Sequence, residues 1–280
     1  MISVHSTLRF RDGRVLSLDV PAVIGILNVT PDSFYAGGRH WDSAVWMRAA
    51  ERHLEEGAAL LDIGGMSSRP GAEPVSEEEE LRRVVPVVEA LHARFPEALL
   101  SVDTFRSRVA REAVSAGACM VNDISGGNLD ASLFETVAEL QVPYVLMHMR
   151  GTPQTMQTLT HYEDLIAELL DYFIERVGRL RALGVKDIVL DPGFGFAKNP
   201  AQNFHLLRNL HALQIVGLPL LVGLSRKSMI YKTLGITPEE ALNGTTALHM
   251  VALQQGARLL RVHDVRPAME TVRLWQQLQA

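Results

Sequence analysis

Cysteine is almost missing from this chain of 280 residues, which contains only Cys119. A single cysteine forms no disulfide within the chain, and the first ten residues lack the basic stretch and apolar segment of a secretory leader. Both observations lead us to expect a cytoplasmic protein. No apolar run approaches the roughly 20 residues that cross a bilayer, so we also expect no membrane span.

Basic residues are too few to favour a polyanionic partner. The chain has 27 lysine and arginine residues against 32 aspartate and glutamate residues, a formal net charge of -5. This balance predicts small-molecule substrates rather than nucleic acid or an anionic membrane, and a phosphorylated substrate would need a local basic site. The sequence has no cysteine pair and no H-E-x-x-H motif, which leaves oxygen-ligated magnesium as the divalent ion to consider.

Apolar residues make up 47% of the chain, and their arrangement favours an α/β fold. Short apolar runs recur, each followed by a polar or glycine cluster and then by a stretch with helical periodicity. The runs are continuously apolar, which is typical of parallel strands buried on both faces. They are Val23–Leu27, Leu60–Ile63, Leu99–Val102, Cys119–Val121, Tyr144–Met147, Ile188–Leu190, Leu220–Val222 and Leu259–Val262.

These eight units predict a closed (β/α)8 TIM barrel that occupies about residues 22–280, so that residues 1–280 form a single domain. The doubly wound alternative normally places a glycine-rich fingerprint after its first strand, whereas here Asn28-Val29-Thr30-Pro31 follows. Ahead of the barrel, residues 7–18 are predicted to form a β-hairpin with Asp12-Gly13 in its turn. We expect this hairpin to close the bottom of the barrel.

Polar residues follow nearly every apolar run, at the positions where barrel enzymes carry out their chemistry. A lone aspartate there is commonly a helix N-cap, but so many polar groups would be costly to bury without a ligand. His148 is more often a packed histidine than a catalyst, and we leave it out of the catalytic set. The strand-end residues include Asn28, Asp62, Asp103, Asn122, Asp123, His148, Asp191, Lys227, Ser228, Arg261, His263 and Asp264.

The charges of these residues indicate the kind of ligand. Arg261 and His263 lie on the same side of an extended segment, with Lys227 on the neighbouring strand end, so three donors can converge on phosphate oxygens. Acceptors and an amide are offered by Asp103, Asn122 and Asp191. Such groups suit a flat heterocycle with N–H donors and a carbonyl, such as a pterin or a purine.

Seven motifs stand at the strand ends and in the loops that follow them. They are GILNVTPDSF (residues 25–34), SSRPG (67–71), SVDT (101–104), NDI (122–124), DPGFGF (191–196), SRKS (225–228) and RVHD (261–264). In this order they closely resemble the dihydropteroate synthase family of pterin-binding transferases. The resemblance implies the condensation of (7,8-dihydropterin-6-yl)methyl diphosphate with p-aminobenzoate to 7,8-dihydropteroate and diphosphate in folate biosynthesis. It also implies a dissociative substitution, magnesium as cofactor, a homodimer and a pocket that accepts sulfonamides.

The resemblance also implies a role for each residue that matches the family motifs. The pterin is held by Asp103, Asn122, Met147, Asp191, Gly223 and Lys227. The diphosphate is held by Asn28, Ser68, Arg261 and His263, and Asn28 is also the magnesium ligand. The p-aminobenzoate site is formed by Phe34, Ser68, Arg69, Pro70, Phe196 and Ser228. The catalytic set is Asp103, Lys227, Arg261 and His263.

The chain departs from the family pattern at three positions. Ala36 and Met66 stand where the family has acids, and Ser68 stands where it has threonine. The lost acids bear on the loop geometry and on the full set of magnesium ligands. Two alternatives stay open, a pterin-binding paralogue that is weakly active or inactive and a methyltetrahydrofolate-binding methyltransferase domain. The second has no need for Arg69-Pro70 or for the Arg261–His263 pair.

Overall fold

The computed structural model of the chain describes residues 7–30, 43–67 and 74–279. In these ranges the strands are β1 (Thr7–Arg9), β2 (Val15–Ser17), β3 (Ala22–Asn28), β4 (Leu60–Gly64), β5 (Leu99–Asp103), β6 (Met120–Asp123), β7 (Tyr144–Met147), β8 (Ile188–Asp191), β9 (Leu220–Val222) and β10 (Ala257–Val262). The helices are α1 (Ser43–Glu55), α2 (Glu77–Arg94), α3 (Ser107–Ser115), α4 (Leu133–Leu140), α5 (Leu165–Ala182), α6 (Pro200–Arg208), α7 (Ser228–Leu234), α8 (Leu242–Gln254) and α9 (Val265–Gln279).

Strands β3 to β10 form a closed barrel in the order β10-β3-β4-β5-β6-β7-β8-β9, and neighbouring strands are parallel. The barrel closes where β10 pairs with β3, with Leu260 opposite Val23. Helices connect successive barrel strands, as parallel neighbours require. The predicted (β/α)8 TIM barrel is therefore confirmed. The prediction that residues 1–280 form one domain stays a prediction.

The helices cover the outside of the barrel. Outward side chains of the strands, such as Leu61 and Val102, share one large buried cluster with helix residues such as Val88 and Phe173. Both faces of each strand are thus buried, which explains why the sequence shows continuous apolar runs. Across the described ranges, no helix has both the length and the apolar character needed to cross a membrane.

The predicted N-terminal hairpin is present and lies against the barrel floor. Strands β1 and β2 pair antiparallel with Leu8 opposite Leu16, and Gly13 takes a φ of 89° in the turn. Glycine suits this turn because side chains disfavour positive φ. Leu8 and Leu18 are 1% and 0% exposed. They share a buried cluster with inward barrel residues, including Ile24, Leu60, Met120, Val145, Val189, Leu221 and Leu259.

We predict that shortening a buried side chain of this hairpin lowers the stability of the barrel. Leu18→Ala should reduce the free energy of unfolding by about 2–5 kcal/mol, because it leaves a cavity in a fully packed floor. Val15→Ala is the matched control, since Val15 is 60% exposed in the same hairpin. Urea unfolding of both variants checks this. A Leu18→Ala midpoint equal to that of the control would show that the hairpin does not stabilise the barrel.

Candidate active site

Side chains of the barrel strands point alternately into the barrel and out toward the helices, because a strand alternates its two faces. The inward positions nearest the hairpin are apolar and belong to the floor cluster. Two residues further along, four strands carry a polar side chain instead. The pairs are Leu60 and Asp62, Met120 and Asn122, Val189 and Asp191, and Leu259 and Arg261. The polar members therefore gather at the carboxyl end of the barrel.

Arg261 lies between two carboxylates that come from neighbouring strands. Its Nε donates to Asp62 Oδ2 at 2.6 Å, and its terminal nitrogen donates to Asp103 Oδ2 at 2.7 Å. Asp62 is 1% exposed and Asp103 is 8% exposed. Buried charges of this kind are stable only when they are paired, so the three residues form one electrostatic unit.

The protonation of Asp103 depends on this unit. Burial raises the pKa of Asp103 to about 7, while the Arg261 guanidinium opposes the rise and the Asp62 carboxylate adds to it. For the pKa of Arg261, the carboxylates together have a larger effect than burial. Burial lowers its pKa, but the carboxylates of Asp62 and Asp103 outweigh burial, and the net change is a rise. Arg261 therefore stays charged, whereas Asp103 titrates near neutral pH.

Asp62 also orients Asn122. The amide Nδ2 of Asn122 donates to Asp62 Oδ2 at 2.8 Å, and this contact leaves the amide oxygen of Asn122 as an acceptor for another group. The second carboxylate oxygen of Asp62 is buried and has no hydrogen-bond partner among the residues that the structure describes. Asp62 thus connects Arg261 with Asn122 through Oδ2, and its Oδ1 can still accept a hydrogen bond.

Asp191 ends β8 and is followed by a tight glycine turn. The Gly193 N–H donates to Asp191 Oδ1 at 2.8 Å, which fixes the carboxylate over the turn. Gly193 has a φ of 70°, and a Cβ there would lie 2.1 Å from the carbonyl oxygen of His148, so only glycine fits. Burial raises the pKa of Asp191, and the positive charge of Lys227 opposes this effect.

Lys227 comes from the segment between β9 and α7, and its side chain contacts the turn that follows Asp191. Its Nζ donates to the Phe194 carbonyl and lies 4.3 Å from the centroid of the Phe196 ring, a cation–π distance. Burial lowers the pKa of Lys227 to about 8, with Asp191 opposing and Arg261 adding to the effect. Ser228 follows as the first residue of α7, for which Lys227 is the N-cap residue. Lys227 thus interacts electrostatically with both Asp191 and Arg261.

Hydrogen bonds connect His263 with Ser225, so that the segments following β10 and β9 are held together. The Ser225 hydroxyl lies 3.2 Å from His263 Nδ1 and accepts from the His263 N–H at 3.3 Å. Arg226 has a φ of 54°, and its guanidinium donates to both oxygens of Asp264 at 2.7 and 2.8 Å. Because left-handed backbone is strained for arginine, this double contact holds the loop in place.

One wall of the mouth is apolar. Met147 and Phe196 are 3% and 7% exposed and belong to a separate buried cluster with Ile124, Met149, Met156 and Ala197. Gly223 lies close to Asp191, since a Cβ built on Gly223 would be 3.8 Å from Asp191 Oδ2. A flat ligand could therefore bond with polar strand ends at its edge and pack its face on this wall.

Asn28 ends β3 and is in register with Gly64 on β4 and Asp103 on β5. A Cβ on Gly64 would lie 3.7 Å from Asn28 Oδ1 and 3.6 Å from Asp103 Oδ2. Two oxygen donors therefore flank this glycine. The described residues contain no group of three or more histidine, cysteine or acidic side chains that could hold a metal ion.

Comparison with known proteins identifies the family. Residues 24–263 match the family described as pterin binding enzyme. The chain belongs to this family. It is 46% identical over 267 residues to a dihydropteroate synthase of Escherichia coli strain K12, covering 95% of this chain and 94% of the relative. The resemblance that the motifs indicate is confirmed.

Two solved structures of dihydropteroate synthases share the fold over nearly their whole length. The Yersinia pestis enzyme, in a sulfonamide drug complex, has a TM-score of 0.91 and 45% identity, with 98% of this chain and 99% of the other covered. The Xanthomonas albilineans enzyme in complex with 7,8-dihydropteroate has a TM-score of 0.88 and 44% identity, with the same two coverages.

The structure places many of the predicted site residues around the mouth. Asn28, Asp103, Asn122, Met147, Asp191, Gly223, Arg261 and His263 lie at the carboxyl ends of barrel strands or follow them directly. Phe196 lies in the loop after β8, and Lys227 and Ser228 lie at the start of α7. The three predicted phosphate donors hydrogen-bond different groups within the protein, since Arg261 bonds carboxylates, Lys227 a carbonyl and His263 a hydroxyl. Phe34, Ala36, Ser68, Arg69 and Pro70 lie outside the described residues.

Sequence reasoning missed Asp62. It was noted among the strand-end residues but received no role, although it contacts both Arg261 and Asn122. The sequence contained the signal. Asp62 stands two residues after the inward Leu60, just as Asp191 stands two residues after the inward Val189. Because Leu60–Ile63 was treated as one apolar run, the inward position of Asp62 within it was overlooked.

We predict that Asp62→Asn lowers the pKa of Asp103. The substitution removes a negative charge that raises this pKa and leaves Arg261 to favour the carboxylate form. Carbon-13 titration of aspartate carboxyls, with Asp103→Asn used for assignment, should show a midpoint below that of the unmodified chain. Asp171→Asn is the control, since Asp171 is exposed on α5. Equal Asp103 midpoints in the Asp62 variant and the unmodified chain would contradict the prediction.

Proposed function

We propose that this chain is a dihydropteroate synthase of folate biosynthesis. It condenses (7,8-dihydropterin-6-yl)methyl diphosphate with p-aminobenzoate and releases 7,8-dihydropteroate and diphosphate. The observation that carries the proposal is that one barrel mouth combines hydrogen-bond acceptors, an apolar wall and two cations that lie close to the acceptors. The acceptors are Asp103, Asn122 and Asp191, and the cations are Lys227 and Arg261. The dihydropteroate synthases that share its fold support the proposal.

The pterin is held by edge contacts and by packing. Asp191 and the amide oxygen of Asn122 accept its N–H groups, and Lys227 donates to its ring carbonyl. Met147 supplies the apolar surface beneath the ring, and Gly223, beside Asp191, leaves room for the heterocycle. Leaving these buried groups unpaired is costly, so the site discriminates against rings without the same donors.

The reaction is a dissociative substitution. The carbon–oxygen bond to diphosphate breaks with both electrons going to the leaving group, and the pterin methylene becomes a resonance-stabilised cation. The arylamine nitrogen then forms the new carbon–nitrogen bond and loses a proton. Arg261 and His263 stabilise the departing diphosphate, while the Asp103 carboxylate faces the cation. Water-poor surroundings strengthen both interactions.

The p-aminobenzoate site lies at the outer end of the mouth. Phe196 covers the ring, and Ser228 at the start of α7 offers its hydroxyl and N–H to the carboxylate. Phe34, Ser68, Arg69 and Pro70 complete this site in the proposal, with Ser68 also at the diphosphate. A sulfonamide has the same outline as p-aminobenzoate, and a sulfonamide is bound in the Yersinia pestis relative, so this pocket is the proposed sulfonamide site.

The oxygen donors of the mouth could supply only part of the coordination shell of a magnesium ion. Asn28 Oδ1 would hold it from β3, together with diphosphate oxygens and water, a shell that magnesium commonly accepts. The bound ion would neutralise charge on the leaving diphosphate. Asn28 also orients the diphosphate, so that its loss affects both metal and substrate.

We also propose that the protein acts in the cytoplasm as a homodimer. An apolar groove between α6 and α8, lined in part by Phe204, Leu248 and Val251, supports self-association. Ile215 and Leu234, also in the later part of the chain, are 62% and 55% exposed. Sedimentation of the purified protein would distinguish a dimer from a monomer.

The central experiment measures diphosphate and dihydropteroate in the same reaction. Incubation with the pterin diphosphate, p-aminobenzoate and magnesium should release one diphosphate for each dihydropteroate formed. Pterin binding without diphosphate release would indicate the inactive paralogue. Binding of methyltetrahydrofolate together with no reaction of the diphosphate would indicate the methyltransferase alternative. Either result would overturn the proposed function.

We predict that Arg261 acts through the geometry of its guanidinium as well as its charge. Arg261→Ala should lower kcat/KM for the pterin diphosphate by about 100-fold or more, and Arg261→Lys should recover only part of the loss, since lysine cannot form the same pair of bonds. Steady-state kinetics at saturating p-aminobenzoate measures both. Full activity of the lysine variant would exclude a bidentate role.

A further prediction concerns the magnesium requirement. Asn28→Ala removes the proposed protein ligand and should raise the magnesium concentration for half-maximal rate, while Ala36→Asp restores a loop acid of the family pattern and should lower it. The gain from Ala36→Asp is expected to be on the order of 1 kcal/mol, since ordering the loop opposes the added attraction. Rates measured against magnesium decide it. An unchanged requirement in both variants would refute the proposed ligation.

A further inference from the structure

Lys198 is a buried lysine for which the proposed chemistry has no role. Its residue is 3% exposed, and it lies against the turn that follows Asp191. Its Nζ lies 3.1 Å from the Gly193 carbonyl oxygen, 3.1 Å from the Phe196 carbonyl oxygen and 3.0 Å from His148 Nδ1. Three acceptors match the three N–H groups of an ammonium, so the buried amine is fully hydrogen-bonded.

The turn that Lys198 contacts has an unusual backbone. Gly193 and Ala197 have φ values of 70° and 49°, and positive φ is unfavourable for alanine. The Gly193 carbonyl accepts both the Phe196 N–H at 3.1 Å and the lysine amine. The Tyr162 hydroxyl donates to the Ala197 carbonyl at 2.9 Å. The conformation therefore depends on contacts from outside the turn.

Two residues that face the proposed substrates stand at the ends of this turn. Asp191 receives the Gly193 N–H at 2.8 Å, so a shift of Gly193 shifts the carboxylate. Phe196 carries one of the carbonyls that Lys198 holds, and its ring packs under Lys227. A single amine thus fixes backbone next to the pterin acceptor and backbone of the residue that covers p-aminobenzoate.

We propose that Lys198 is a positioning residue that fixes Asp191 and Phe196 for the two substrates. The proposal rests on the proposed function, since it concerns how that same site holds pterin and p-aminobenzoate. Lys198 acts through the turn, because its amine already has three protein partners. His148, which sequence reasoning left out of the catalytic set, is the third partner and stabilises the amine.

These contacts survive a change in protonation. Burial lowers the pKa of Lys198 to about 7, with Asp191 opposing and with Lys227 and Arg150 adding to the effect. Burial also lowers the pKa of His148 well below its usual value, so the imidazole stays neutral. An ammonium donates to His148 Nδ1, whereas a neutral amine donates to the two carbonyls and accepts from the other imidazole tautomer. The positioning role therefore does not require the charge.

Kinetic constants of Lys198→Met test the proposal. Methionine keeps much of the length and apolar bulk but removes the amine that donates to two carbonyls and contacts an imidazole nitrogen. We expect the KM for the pterin diphosphate and the KM for p-aminobenzoate each to rise about tenfold, at pH 6 and at pH 8 alike, with a smaller change in kcat. A merely structural role would reduce the amount of active enzyme, which lowers the apparent kcat and leaves both KM values unchanged.

Lys186→Met is the matched control, because Lys186 is exposed and lies just before β8 at the opposite end of the barrel. It should leave both KM values unchanged. Lys198→Gln retains an amide donor on a shorter side chain and should give KM values between those of Lys198→Met and the unmodified protein. This ordering provides a graded rescue that loss of fold alone would not produce.

The outcomes separate the positioning role from the proposed function. Unchanged KM values in a folded Lys198→Met protein would overturn the positioning role while the enzyme activity stands. Failure of both Lys198 variants to fold would also overturn it, since the lysine would then serve the fold. Absence of dihydropteroate formation by the unmodified protein would instead reject the proposed function, and pterin affinity measured by calorimetry would still compare the variants.

Discussion

Arg261 lies between Asp62 and Asp103, and the polar half of the barrel mouth depends on this contact between three charges. Asp62 and Arg261 are 199 residues apart in the sequence, and they meet because the closed barrel brings β10 beside β3, one strand from β4. Burying such charges is unfavourable unless each has a partner at close range. The strand registers that bring them together are therefore as important to the site as the side chains. An open sheet of the same strands would leave β10 at an edge and Arg261 without Asp62.

The other half of the mouth is organised by backbone rather than by charge pairs. The turn after Asp191 presents three carbonyls that lysine amines hold, Lys227 at Phe194 and Lys198 at Gly193 and Phe196. Carbonyls in a buried turn need such donors because they have no strand partner. The half of the site that lies on strands is thus fixed by strand register. The half that lies on the loop is fixed by two lysine side chains, Lys198 from the same loop and Lys227 from the segment after β9. Substitutions that spare every substrate contact can still move the second half.

The sequence was sufficient for the barrel because each strand is a short apolar run and each connection has helical periodicity. The hairpin was also predictable from Asp12-Gly13 between two apolar segments. The site residues that end strands, such as Asp191 and Arg261, were found because barrels carry their chemistry there. The role of Asp62 and the residue Lys198 were not found. Asp62 lies inside a run that looks uniformly apolar, and the role of Lys198 comes from contacts with a turn that only the folded chain brings near His148. Pairings of this kind leave no periodic signal.

The two-residue spacing between the apolar floor and the polar mouth also restricts how the length of this chain can change. A deletion of one residue between Leu60 and Asp62 would turn the aspartate toward the outer helices and bring a neighbouring apolar side chain into the mouth. One such event would break the contacts to Arg261 and Asn122 together. Most single substitutions on the same strand would alter only one side chain. We therefore expect the strands of this barrel to tolerate changes in composition better than changes in length, and we expect insertions and deletions in the connections between them.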